Sequence, residues 1–252
     1  MVRKRLVVSL LWRNGVIVQS VRFRHTNVVG DPKVAIEFFN AWDADEIVLL
    51  NVSRDEGVPE RFLAMLRHVS KHCFLPLTAG GWVATVDRAQ LLLENGADKV
   101  VVNTRGFDEP AFLGELADKF GAQCVVASLD VAGDGPDTWQ VMVDRGRRAT
   151  GLDPVTAARR AAANGAGEIL LTSIDRDGSL SGYDLGLVRA VAGAVDIPVI
   201  AFGGVGEWRH LAEGIDAGAD AVSAGNIFHF TEQSTRAAKT YLIDAGAPVR
   251  PR

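Results

Sequence analysis

Glu168-Ile-Leu-Leu-Thr-Ser-Ile-Asp-Arg-Asp-Gly178 opens as an apolar run and closes on a polar, glycine-ended turn, and its first residues have a near copy 122 positions upstream in Glu46-Ile-Val-Leu-Leu50. Two further pairs keep almost the same spacing: Thr78-Ala-Gly-Gly81 with Ala201-Phe-Gly-Gly204, and Gly96-Ala-Asp-Lys-Val100 with Gly218-Ala-Asp-Ala-Val222. A short Val, Ile and Leu run without polar alternation suits a strand buried on both faces, the usual strand of a parallel sheet. Its recurrence in the same order predicts two similar halves, about 1–122 and 123–252.

Working outward, eight such runs are read as strands: Leu6–Trp12, Glu46–Val52, Phe74–Gly80, Lys99–Thr104, Cys124–Val131, Glu168–Asp175, Pro198–Gly204 and Ala221–Phe228. Helical patterns fall between them, over Asp31–Trp42, Pro59–His72, Val86–Asn95, Glu109–Phe120, Pro154–Asn164, Leu185–Ala194 and Glu207–Ala217. Strand and helix alternate, so the sheet is expected to be parallel. The 252 residues also divide into eight units of about 31 or 32, enough for a strand, a helix and two connections. The predicted fold is therefore α/β, a (βα)8 TIM barrel forming one domain over 1–252. Asp134-Gly135 followed by Trp139–Asp144 reads as a hairpin inserted after the fifth strand.

Composition narrows the function classes. With 48% hydrophobic and 23% charged residues the chain can build an ordinary core, which excludes disorder and coiled coil. A formal charge of -4 argues against a general nucleic-acid or anionic-membrane binder. No apolar run is long enough to span a bilayer and the start lacks a secretion pattern, so the cytosol is the expected compartment. Cys73 and Cys124 make no metal spacing or disulfide framework, and the five histidines form no ligand spacing, so no metal or redox cofactor is expected.

Active sites of such barrels lie at the C-terminal ends of the strands. Gly80-Gly81 and Gly203-Gly204 end the third and seventh strands, where paired glycines let backbone N–H groups approach an anion. Asn103-Thr104 and Gly225-Asn226 end the fourth and eighth strands on the same rim. The symmetric placement predicts two opposed phosphate sites, suiting a ligand phosphorylated at each end. At the opposite end, Arg5, Glu46, Lys99 and Glu168 begin strands one, two, four and six, so four alternating charges are expected to converge on the barrel floor.

Gly151-Leu-Asp, Gly167 through Gly178, Gly182-Tyr-Asp-Leu, Ile197-Pro-Val-Ile-Ala, Asn226-Ile-Phe-His-Phe and Pro76-Leu-Thr-Ala-Gly-Gly resemble the cyclase subunit of imidazole glycerol phosphate synthase, the HisF family. The resemblance runs from Arg3 to Val249. It implies a barrel that receives ammonia from a HisH-like glutaminase through its axis and uses it to cleave and cyclise a bis-phosphorylated aminoimidazole ribonucleotide precursor. Carried over by residue, Asp130 stands at one of two catalytic carboxylates, and Thr172, Asp177, Gly178, Gly203 and Gly204 keep the phosphate-site pattern. Arg5, Glu46, Lys99 and Glu168 match the charges that gate ammonia, with Asp98, Lys99 and Gln123 as glutaminase contacts.

The first half departs from that pattern. The second catalytic aspartate belongs where Ser9-Leu10-Leu11 stands, the loop lysine corresponds to Gln19, the aspartate ending strand two to Asn51, and a third glycine to Trp82. Losing a positioned acid–base group typically costs about 10²–10⁴-fold in rate. Leu11 thus points away from the ordinary histidine-pathway reaction and toward ammonia delivery to another acceptor. Leu10-Leu11-Trp12-Arg13-Asn14-Gly15 resembles paralogues associated with acetamidino modification of surface-polysaccharide sugars, which would add a sugar amidotransferase as a partner. A specialised nitrogen heterocycle is another acceptor. A genuine cyclase and a non-catalytic scaffold activating a glutaminase are the alternatives. Trp82 either crowds the first phosphate site, stacks on a different substrate, or covers the rim.

Overall fold

In the computed structural model, which describes residues 3–41, 43–54, 57–133, 135–229 and 234–250, the apolar runs become the staves of a closed parallel barrel. The eight staves are β1 (Arg5–Arg13), β4 (Glu46–Asn51), β5 (Leu77–Gly80), β6 (Lys99–Val102), β7 (Val125–Ala132), β10 (Glu168–Ser173), β11 (Val199–Phe202) and β12 (Ala221–Ala224). They pair in that order, and β12 returns to β1 through the register Arg5↔Ala221 to Val8↔Ala224. Helices α1 (Pro32–Ala41), α2 (Glu60–His72), α3 (Val86–Glu94), α4 (Thr104–Asp108), α5 (Ala111–Phe120), α6 (Pro154–Ala163), α7 (Leu185–Ala192), α8 (Trp208–Asp216) and α9 (Ser234–Asp244) cover the outside. The fold is a (βα)8 TIM barrel.

The period of two along each strand sorts the core into two bodies. Leu6, Val8, Leu10 and Trp12 face the helices, whereas Val7 joins Val48, Val101, Val126, Leu170 and Ile200 in a separate apolar layer inside the ring. The same alternation turns Arg5, Ser9 and Leu11 inward on β1, Ser128 and Asp130 inward on β7, and Glu168 and Thr172 inward on β10. A position's distance from the apolar layer therefore fixes whether it reaches the floor or the mouth.

Several element ends differ from the sequence reading, each for a local reason. The third strand begins at Leu77 and not at Phe74: Pro76 has no N–H to give a ladder, and Phe74 stands 88% exposed. The fourth ends at Val102, because Asn103 leaves the extended region and Thr104 opens the short α4. The eighth ends at Ala224 and continues as a 3₁₀ turn over Asn226–His229. The inserted hairpin after the fifth strand is present, with β8 (Gln140–Val143) antiparallel to β7 and β9 (Arg148–Ala149) beside β8. Trp42, Asp134 and Phe230, which fall within the predicted first helix, the hairpin turn and the Asn226 motif, lie outside the described residues.

A second hairpin was not expected. β2 (Val16–Val21) turns back on β1 and pairs with β3 (His25–Gly30). Asn14 and Gly15 carry the turn with φ of 52° and 102°, the left-handed pair that an Asn-Gly turn between strands requires. The dipeptide between Leu10-Leu11-Trp12 and Val16-Ile17-Val18 is the signal that identifies it.

Candidate functional site

The mouth of the barrel is built from the last inward residue of each strand and the loop that follows. On β7 that residue is Asp130. Its carboxylate accepts from Ser128 Oγ at 3.1 Å and from Asn103 Nδ2 at 3.2 Å, with the Thr172 hydroxyl also bonded to it. Asn103 is tied down by a second bond, from Nδ2 to the Ser128 carbonyl at 3.0 Å. Loss of solvation dominates, aided by the nearby Asp177 charge, and raises the Asp130 pKa to about 7 against the pull of Ser128 and Thr172. Asp130 thus holds its proton close to neutrality, the condition a proton-transferring carboxyl needs.

Strands one and five of an eight-strand ring lie opposite, and on β1 the residue facing the mouth is Leu11. It lines a cleft with Ser20, Gly178, Phe202, Gly204 and Asn226. Leu11 supplies an apolar wall and no proton.

The glycine loops sit where the rim is tightest. Gly203 and Gly204 have φ of 97° and 107°, and a Cβ on Gly204 would stand 2.2 Å from the Gly182 carbonyl oxygen. Gly225 backs onto the Ser9 carbonyl at a distance that leaves no room for a side chain, and Gly178 does the same against Ser20. These glycines bring backbone to the cleft surface, and together with Thr172, Asp177 and Asn226 they gather on the second-half side of the mouth. Across the ring, Gly80 ends β5 with Gly81 just after it, and Asn103 and Thr104 follow the end of β6. Gly81 has φ of 103° and presses on the Asn51 carbonyl.

Two side chains behave differently from a simple phosphate loop. The Asp177 carboxylate is turned to the β2–β3 hairpin, accepting from Ser20 Oγ at 2.6 Å and from the Phe23 amide at 3.3 Å. Burial raises its pKa, opposed by those two bonds. Ser20→Ala is expected to cost the hairpin about 1.5–3 kcal/mol, the worth of a hydrogen bond to a charged group. Faster amide exchange confined to 16–30 would report it; unchanged exchange would show that the hairpin is held elsewhere. Trp82 covers the rim: its Nε1 donates to the Ser53 carbonyl at 3.0 Å, Arg88 donates to its carbonyl at 3.1 Å, and its φ of 62° is the left-handed conformation a glycine would take there.

At the floor the four predicted charges meet in one closed ring. Arg5 donates to Glu46 Oε2 at 2.6 Å and to Glu168. Lys99 reaches Glu46 Oε1 at 3.0 Å and Glu168 Oε2 at 2.7 Å, and Thr78 Oγ1 adds a bond to Glu46 at 2.7 Å. The glutamate side chains are 2% and 5% exposed, while Arg5 and Lys99 remain open to the floor at 28% and 20%. Ring, apolar layer and Asp130 lie one above another along the axis. Asp98, at the start of β6, caps the Leu77 amide at 2.8 Å. Among the described residues no cluster of three or more His, Cys, Asp or Glu is placed to hold a metal, and no helix is long and apolar enough to cross a membrane.

Fold and mouth together define a (βα)8 barrel whose candidate site is the C-terminal rim, with glycine loops ending opposed strands and a carboxylate between them. The family model described as histidine biosynthesis protein matches residues 5–234. The chain belongs to that family, and is a HisF-like barrel of the HisA/HisF type.

Two features of the mouth had no counterpart in the sequence reading. Ser20 belongs to a hairpin that was not assigned. Arg145, on the β8–β9 turn, comes to Trp82 only through the fold.

Proposed function

We propose that this chain is the ammonia-accepting subunit of a glutamine-dependent synthase or amidotransferase, working with a HisH-like glutaminase on a phosphorylated small-molecule acceptor in the cytoplasm. In this reading the barrel consists of two similar halves, about 1–122 and 123–252. Gly178, Gly203, Gly204, Gly225 and Asn226 hold one phosphate with Thr172, and Gly80, Gly81, Asn103 and Thr104 face the other end. Asp130 moves the proton, and Arg5, Glu46, Lys99 and Glu168 admit ammonia at the floor.

The observation that carries the reading is the alignment of a closed charge ring, a packed apolar layer and one neutral-range carboxyl on a single axis. A small uncharged nucleophile can cross Val7, Val48, Val101 and Leu170, whereas an ammonium ion faces the desolvation cost of that layer. With Leu11 opposite Asp130, one carboxyl serves the mouth. A single acid–base group fits ammonia addition to an acceptor better than a cleavage and cyclisation that needs protons handled on both sides. The product is therefore read as something other than the histidine-pathway heterocycle: a sugar acetamidino group or a specialised heterocycle.

The test is turnover of the bis-phosphorylated cyclase substrate with ammonium salt, beside glutamine hydrolysis when the chain is mixed with its glutaminase. The expected result is activation of the glutaminase with cyclase turnover at least a hundredfold below that of a two-carboxylate cyclase. Full cyclase turnover would overturn the non-histidine product. No complex and no activation would overturn ammonia transfer altogether.

A further inference from the structure

The first-half rim carries an arginine with an unused donor. Arg145 sits on the turn between β8 and β9, and its guanidinium lies over the Trp82 ring at 5.2 Å from the centroid. Its Nε is buried and has no hydrogen-bond partner, although the side chain as a whole is 34% exposed. The nearest carboxylate, on Asp144, touches only NH2 and at 3.3 Å, the long end of the range. A buried, unpaired N–H costs about 1–3 kcal/mol, so something on the protein must hold Arg145 in this position.

Two contacts do so, and they do it against a further cost. Asp144 and Arg145 both have left-handed φ, 49° and 59°, a conformation that costs an ordinary residue about 1–2 kcal/mol. The Asp144 amide donates to Thr104 Oγ1 at 3.0 Å, which ties the turn to the end of β6. Gly146 is wedged so closely that an added Cβ would stand 3.2 Å from Ile174 and 3.3 Å from Phe23 of the other hairpin. An unbroken chain of contacts then runs from Asp130 through Asn103, Thr104 and Asp144 to Arg145 and Trp82.

We propose that Arg145, propped on Trp82, is the residue that binds the phosphate of the acceptor at the first-half rim. A guanidinium offers a planar fork of donors that matches two phosphate oxygens at once, and a stacked ring fixes the plane of that fork without competing for its donors. Trp82 thereby changes from an obstruction on a glycine loop to the platform of a side-chain anion site. The proposal rests on the reading of the mouth as the site of a phosphorylated acceptor, and it adds that the two ends are held differently: by backbone at the second-half rim, and at the first-half rim by a charged fork that the β8–β9 turn lends to it.

Titration of the full chain with inorganic phosphate, followed by calorimetry and by ³¹P line broadening, separates the two. The wild type is expected to take up two phosphates. Arg145→Met should weaken one of them at least tenfold, Trp82→Leu several-fold, and Arg145→Lys to an intermediate degree, since the charge stays and the fork is lost. Gly204→Ala should remove the other phosphate and leave the Arg145 one. Should Arg145→Met unfold, Arg145→Lys and Trp82→Leu carry the same test. Two phosphates bound by Arg145→Met as tightly as by the wild type overturn the proposal. A single phosphate lost only in Gly204→Ala overturns it and leaves the second-half reading intact. A single phosphate lost only in Arg145→Met supports it and removes the second-half reading instead. No uptake at all overturns both.

Discussion

Asp130→Asn is expected to reduce ammonia-dependent turnover by about 10²–10⁴-fold, the range for removing a positioned acid–base group, without loss of the barrel. Asparagine keeps the size: its one oxygen can still accept from Asn103 Nδ2, and its NH2 can donate to the Ser128 hydroxyl. With Leu11 across the mouth, no second inward carboxyl stands ready on β1 to take over. In its ionised form Asp130 accepts the proton released as ammonia adds, so turnover at a fixed concentration of free ammonia is expected to rise through about pH 7 and then level off, following the raised pKa. A rate profile that does not bend near neutrality, or a variant that retains a tenth or more of wild-type turnover, would remove Asp130 from the chemistry.

The same carboxyl makes a second, independent statement. Its pKa lies at about 7 in the folded chain against 3.8 for the free group, so the fold prefers the protonated form. Between those values the folded state binds more protons than the unfolded one, and stability falls as pH rises through the interval. Asp130 therefore supports the fold best in acid and works against it above neutrality. Asp130→Asn removes that penalty: its melting temperature is expected to exceed that of the wild type at about pH 8, with the gain shrinking toward about pH 4. A difference that stays constant with pH would mean that the carboxyl is better solvated than its surroundings indicate. Lower activity combined with higher stability in alkali is the signature of a group placed for chemistry at some cost to the fold.

How much of this was legible in the sequence follows from what each feature depends on. The barrel strands were readable because burial on both faces demands unbroken Val, Ile and Leu runs, as in Glu168-Ile-Leu-Leu-Thr, and a run needs no partner to be seen. The floor charges were readable because each begins a strand, so period and position alone send Arg5, Glu46, Lys99 and Glu168 to one level. Asp130 and the glycine pairs were likewise placed by their position at strand ends. The β2–β3 hairpin escaped because β3, His25-Thr-Asn-Val-Val-Gly, is polar and one-sided, and only Asn14-Gly15 announced it. Arg145 escaped for a stronger reason. Its role depends on a turn conformation, on Thr104 forty positions away and on Trp82 further still, and none of these leaves a pattern near residue 145.

Arg5→Met is expected to cost about 3–5 kcal/mol of stability, the usual result of removing one partner from a buried ion pair. The ring gives the reason. Arg5 is the link between Glu46 and Glu168 on one side and Lys99 the link on the other, and both carboxylates are almost wholly buried. Burial alone would lower the guanidinium pKa, but Glu168 and then Glu46 outweigh it, and the net shift is upward, so the charge of Arg5 is firmly held. Without it, two carboxylates share one ammonium. The double variant Arg5→Met with Glu46→Gln leaves the single pair Lys99–Glu168, and much of the loss should return, a non-additivity that a set of independent surface pairs would not show. Function separates a gate from a plug. If the ring only seals the floor, glutamine-dependent and ammonium-dependent turnover fall together, in proportion to folded protein. If it admits ammonia, opening it uncouples the two: ammonium-dependent turnover persists in the folded fraction, while the yield of product per glutamine hydrolysed drops several-fold because ammonia escapes at the floor. An unchanged yield in a folded Arg5→Met complex would make these four charges a structural closure and nothing more.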